Sequence, residues 1–92
     1  MGDRTHTPFD DLPRPQQAGI LCNDPQFQRF AGLRGLGLDQ DITPTAAAEY
    51  LRTACRVASR RDLASDANAA QRFQSLRTEF DAWRGRIARP RA

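Results

Sequence analysis

The chain has 92 residues, a mean hydropathy of −0.68 and a net charge of +3. That length supports one domain with one modest core, which excludes a multidomain protein and an enzyme built around a large pocket. No uninterrupted apolar run exceeds four residues, far short of the roughly 20 that a membrane-spanning helix needs. All the positive side-chain charge comes from fourteen arginines, with no lysine. The arginines are unevenly spread, with four against six acids in residues 1–45 and ten against five acids in 46–92. A basic second half is compatible with nucleic acid, although its acids are interleaved. Arginine without lysine, alongside fourteen alanines, also fits the codon usage of a GC-rich genome.

Residues 1–13 are polar and punctuated by proline and read as a flexible arm, with Phe9 and Leu12 available to pin its end onto a core. Asp10-Asp11 reads as solvated rather than catalytic. A first helix is predicted from Arg14 or Pro15 to Cys22, with Ala18, Leu21 and Cys22 on one face and Ile20 on its flank. Asn23-Asp24-Pro25 stops it and starts the next, with Asp24 as cap and Pro25 in the first turn. The second helix is predicted to run to about Arg34 and to end at Gly35 in a left-handed cap. The glycines that follow match neither a dinucleotide nor a P-loop fingerprint. Asp39-x-Asp41 opens like a calcium loop, but the sixth position is Pro44 and the twelfth is Tyr50, so the pattern fails.

Thr43-Pro44 marks the start of a third helix ending near Arg56 or Val57. Its apolar stripe is Ala47, Leu51, Ala54, Cys55 and Ala58, with Tyr50 beside it. Ser59-Arg60-Arg61-Asp62 reads as a variant capping box opening a short turn that ends at Leu63 or Ala64. Ser65-Asp66 then caps the longest helix, Ala67 to about Ala88. Here Ala69, Phe73, Leu76, Phe80, Trp83 and Ile87 recur every three or four residues, a core-facing seam that also allows a dimer. Residues 89–92 form a basic tail. The expected fold is all-α, a small bundle of about four helices with a flexible N-terminal arm; the single helical domain covers 14–88. Its expected core is Leu21, Phe27, Phe30, Leu51, Leu63, Phe73, Leu76, Phe80 and Trp83.

Chemistry is sparse. The only histidine, His6, lies on the arm, so no nucleophile–base pair can be built on the rigid part. One His and two Cys are too few for a zinc site. The scattered Glu49, Asp62, Glu79 and Asp81 read as helix-surface pairs, for example Arg77 with Asp81. No catalytic residue, cofactor or metal is expected. Cys22 and Cys55 form no Cys-x-x-Cys motif and read as reduced, buried thiols. With no secretory pattern at the start of the chain, a reducing, cytoplasmic compartment is expected.

Two binding readings remain. Arg52, Arg56, Arg60 and Arg61 cluster at the end of the third helix and in the following turn. Arg72, Arg77, Arg84, Arg86, Arg89 and Arg91 line the last helix and tail. Of these, Arg52, Arg56, Arg60, Arg61, Arg84, Arg86 and Arg89 are candidate nucleic-acid contacts. Against that reading, the aromatic residues fall at core spacing rather than on a stacking face. Tyr50 and Trp83 are candidate protein-partner contacts, because aromatic residues and arginine dominate interface energetics.

Three stretches carry a resemblance: Cys22-Asn23-Asp24 before Phe27 and Phe30; Cys55 with Val57, Ser59 and Arg60; and Phe80 with Trp83. Over about residues 16–88 the chain resembles small proteins of phages and prophages of GC-rich proteobacteria. Where that group has Gly between the Cys and the Val, this sequence has Arg56. Such proteins are often encoded beside phage replication and recombination genes. The resemblance implies a non-enzymatic accessory protein in a bacterial host, binding a protein or nucleoprotein complex of DNA metabolism, and it supplies no catalytic residue. The expected partner is a protein, with DNA as a second possibility, no membrane, and a monomeric or dimeric state. The alternatives are an inhibitor docking on a host defence protein, direct DNA binding through the arginines, and a structural or assembly protein.

Overall fold

Short polar side chains and prolines decide where the helices begin. In the computed structural model, which describes residues 9–88, a 3₁₀ turn at Phe9–Asp11 precedes α1 (Arg14–Cys22), α2 (Pro25–Ala31), α3 (Pro44–Cys55), α4 (Asp62–Ser65) and α5 (Ala67–Ala88). No strand occurs among the described residues. Asp24 accepts the Gln26 N–H at 2.8 Å, and Thr43 Oγ1 accepts the Ala46 N–H at 3.0 Å. Asp66 Oδ1 accepts from the amides of Asn68 and Ala69 at 2.9 and 3.2 Å. Each satisfies donors that the first turn of a helix leaves without partners. At the 59–62 turn, Asp62 accepts the Ser59 N–H at 3.3 Å as a capping box requires. The Ser59 hydroxyl instead takes the Arg61 N–H, also at 3.3 Å.

The end of the second helix departs from expectation. It does not stop at Gly35. After Ala31 the backbone widens into a π-helical turn, Gly32–Leu36, and is capped by Gly37 at φ 71°. Both earlier glycines are pressed against neighbours. A Cβ on Gly32 would lie 2.5 Å from the Gln40 carbonyl oxygen, and one on Gly35 would lie 2.9 Å from the Tyr50 ring. Gly37 has open space around it, so the left-handed cap forms there.

Helix α5 packs against α2, α3 and α4, while α1 packs against α2, α3 and α4. Ala69, Phe73, Leu76 and Phe80 of the α5 seam are buried together with Ala18, Leu21, Cys22, Phe27, Phe30, Leu51, Cys55 and Leu63. Phe27 meets Phe80 edge-on at 5.2 Å between centroids, and Phe30 lies 5.4 Å from Phe80, separations that suit aromatic pairs. Trp83, expected in the core, is only half-buried, against Phe30 and Phe80. The Ile87 side chain lies outside the described residues.

The expected Arg77–Asp81 pair does not form. Arg77 reaches Asp10 at 2.8 Å and covers the Phe9 ring at 4.8 Å, and Asp81 pairs with Arg84 at 2.8 Å. The Phe9–Asp11 turn offers Arg77 an aromatic face and a carboxylate together, which an exposed neighbour one turn along its own helix cannot match. Gln17 fastens the same turn by donating to the Leu12 carbonyl at 2.8 Å.

Candidate binding clefts on either side of α3

Helix α3 has three faces, each with its own composition. Ala47, Leu51 and Cys55 follow one another at i, i+4 and i+8 and are fully buried. Thr45, Ala48 and Arg52 face a cleft on one side, and Ala46, Glu49, Tyr50 and Thr53 face a groove on the other.

The cleft encloses about 650 Å³ between the end of α1, the start of α3 and the turn before α4. Pro15, Cys22, Asn23, Pro44 and Thr45 line it together with Ala48, Arg52, Ala58, Ser59, Arg60 and Arg61. Three guanidinium groups thus line one concavity, with no carboxylate among the lining residues. Arg60 is laid across α1 at Gly19, where an added Cβ would lie 3.3 Å from a guanidinium nitrogen. Beneath it, burial pushes the Cys22 thiol up, and the hydrogen bond and charge of Arg60, with the charge of Arg52, pull it only partly back. Burial pushes Cys55 up to about 11. Both cysteines are free and buried, and both are neutral thiols at pH 7 rather than nucleophiles.

The arginines divide into two sets. Arg29 pairs with Asp39 at 3.0 Å and Arg34 with Glu79 at 3.3 Å. Arg77 and Arg84 are paired as well. Arg14, Arg52, Arg56, Arg60, Arg61 and Arg72 make no ion pair among the described residues, and four of these six follow one another from the end of α3 to the start of α4. Arg56 caps α3 in the left-handed conformation at φ 59°, the one described non-glycine residue with positive φ. Its amide bonds to the carbonyls of Arg52 and Thr53.

Of the residues singled out by sequence, Arg52, Arg60 and Arg61 meet in the cleft, and Arg56 ends the helix that supplies Arg52. Arg84 is not part of the lining. It lies over the Phe80 ring at 4.7 Å, pairs with Asp81, and reaches Asp24 at 3.9 Å. The Arg86 side chain and Arg89 lie outside the described residues. Tyr50 lines the groove, whereas Trp83 lines neither opening.

The groove, about 360 Å³, is bounded by Ala31, Gly35, Leu36, Ile42, Ala46, Glu49, Tyr50 and Thr53. Beside it the π-helical turn and the loop after it expose Leu33, Leu36 and Leu38 by 36, 61 and 44%. Leu36 and Leu38 fall in the expected loop and Leu33 in the expected second helix, so periodicity alone does not mark them as a surface. Their signal was an alternation of glycine and leucine through Gly35-Leu36-Gly37-Leu38. No group of three or more His, Cys, Asp or Glu among the described residues could hold a metal ion, and no helix is long and apolar enough to cross a membrane. Compared with protein-family models, curated proteins and solved structures, the chain gives no match.

Proposed function

We propose that this chain is a non-enzymatic accessory protein of phage type that acts in the host cytoplasm by docking on a protein or nucleoprotein complex of DNA metabolism. The observation carrying the docking half is the apolar groove beside Tyr50, with three exposed leucines in the π-helical turn and the loop after it. Leucine at the surface is ordinary when scattered, but a contiguous set around a concavity is how a helical domain presents a contact surface. Tyr50 adds an anchor that is held against Phe27 and Phe30 at 6.4 and 6.3 Å and loses little entropy on binding. The phage setting and the link to DNA metabolism rest on the resemblance of residues 16–88.

The test is affinity capture from host lysate, with and without nuclease, comparing the wild type with Leu36→Asp/Leu38→Asp. Both leucines are exposed, so the double variant should melt like the wild type. It is expected to lose the specific partner at least tenfold. Capture of the same proteins in the same amounts would remove the groove from the reading. The identity of the captured partner separates replication, counter-defence and virion assembly.

A further inference from the structure

From the opposite side of α3 we infer a second site, independent of the groove: the arginine-lined cleft seats phosphates of a nucleic-acid duplex without reading its sequence. Arg52, Arg60 and Arg61 line one concavity of about 650 Å³ that has no carboxylate in its walls. None of the three forms an ion pair within the described chain, although Arg29, Arg34, Arg77 and Arg84 all do. Like charges held together without internal counter-ions leave a positive potential that an external anion neutralises. Guanidinium forks suit phosphate oxygens, which they bind in pairs of parallel hydrogen bonds.

The 12-residue helix α3 begins at the cleft wall with Pro44 and Thr45. Pro44 has no N–H, and the amides of Ala46 and Ala47 are taken by Thr43, so the Thr45 amide and the helix dipole supply the added positive character beside the arginines. Arg60 passes over Gly19, where a Cβ would lie 3.3 Å from its guanidinium. The Cys22 thiol beneath it stays protonated and brings no competing negative charge.

The shape and composition of the site choose the ligand. Arg56, which caps the helix that supplies Arg52, is a further cation without an ion pair among the described residues, and several free cations close together suit an anion repeated along a chain. No aromatic side chain lines the cleft, so it offers no platform for stacking unpaired bases. Helix α4 has only four residues, too short to serve as a recognition helix in a major groove. Phosphate contacts without base contacts give duplex binding that is indifferent to sequence.

The experiment is fluorescence anisotropy with two labelled duplexes of unrelated sequence and one single strand of equal length, at 50 and 200 mM NaCl. Both duplexes should bind alike and better than the strand. Three phosphate contacts in the cleft and a fourth at Arg56 predict a loss of roughly 150-fold over that salt range. Arg60→Ala/Arg61→Ala should weaken duplex binding about tenfold or more at low salt and flatten the log–log salt slope by about 1.8. The charge-matched control Arg29→Ala/Arg34→Ala should change affinity less than threefold, because those arginines are already paired. Gly19→Ala keeps every charge and asks the flexible Arg60 guanidinium to give by only a few tenths of an ångström, so it should change binding less than threefold. Equal losses in the two double variants would reduce the site to overall charge. Absence of duplex binding at 50 mM NaCl would overturn it, as would preference for the single strand. Displacement by a free mononucleotide at matched ionic strength would reassign the cleft to small phosphorylated ligands.

Discussion

The two sides of α3 are built from the same few residue types and end with opposite character. On the groove side the arginines are spent on local carboxylates, Arg29 on Asp39 and Arg34 on Glu79, and leucine is left to face solvent. On the cleft side the arginines find no partner, and the apolar residues are proline and alanine flush with the wall. Exposed ion pairs contribute about 0–1 kcal/mol to stability. Their importance here is that they decide where free positive charge remains. Among the described residues of the basic second half, Arg77 and Arg84 are paired on α5, Arg72 is not, and Arg52, Arg56, Arg60 and Arg61 leave unpaired charge at the end of α3 and in the turn after it.

The sharpest way to break the comparison is to remove the wall that both sides share. Leu51 is fully buried on the third face of α3. Leu51→Ala should cost about 2–5 kcal/mol in urea denaturation, and duplex binding and partner capture should fail together. Retention of both at nearly wild-type stability would mean that the two sites do not depend on a common support.

A smaller and more local effect is expected at Gly32. Its missing Cβ leaves room for the backbone carbonyl of Gln40, 2.5 Å from where that Cβ would be. Backbone cannot swing aside as a side chain can, so Gly32→Ala should cost roughly 1–3 kcal/mol. Amide exchange should accelerate over residues 32–42, while the salt slope for duplex DNA stays as in the wild type. A change in both would show that the sides communicate through α2.

Much of the framework was legible because its signals are local. Asp24-Pro25, Thr43-Pro44 and Ser65-Asp66 place helix starts through side-chain bonds spanning two or three residues. The Ala69-to-Phe80 spacing identifies the buried seam of α5 without reference to any other element. Arg52, Arg56, Arg60 and Arg61 were legible as a cluster for the same reason, being close in sequence. The wall that turns the cluster into a cleft was not, since Pro15, Cys22 and Asn23 arrive from α1. Arg84 illustrates the converse. It belongs to a basic run, but it also reaches Asp24, sixty residues away. The π-helical turn was hidden because it depends on Tyr50 and Gln40 crowding two glycines, contacts that no periodicity in Gly32–Leu36 encodes.

The smallest predicted effect sets stability against binding at one residue. Arg56 holds φ 59° at the end of α3, a conformation that costs an L-residue about 1–2 kcal/mol and glycine almost nothing. Its side chain is exposed and without an ion pair among the described residues, so the folded state recovers little of that cost through contacts. Arg56→Gly relieves the strain but gives the unfolded chain more freedom, leaving a net gain of about 0.5–1 kcal/mol. The same change removes one cation from the set beside the cleft. Urea denaturation should therefore shift upward while duplex affinity falls a few-fold and the salt slope flattens by about 0.9. If stability rises and affinity does not move, Arg56 is only a strained cap, and the phosphate site ends at Arg52. If both fall, the Arg56 side chain makes a stabilising contact that the geometry of the cap does not reveal.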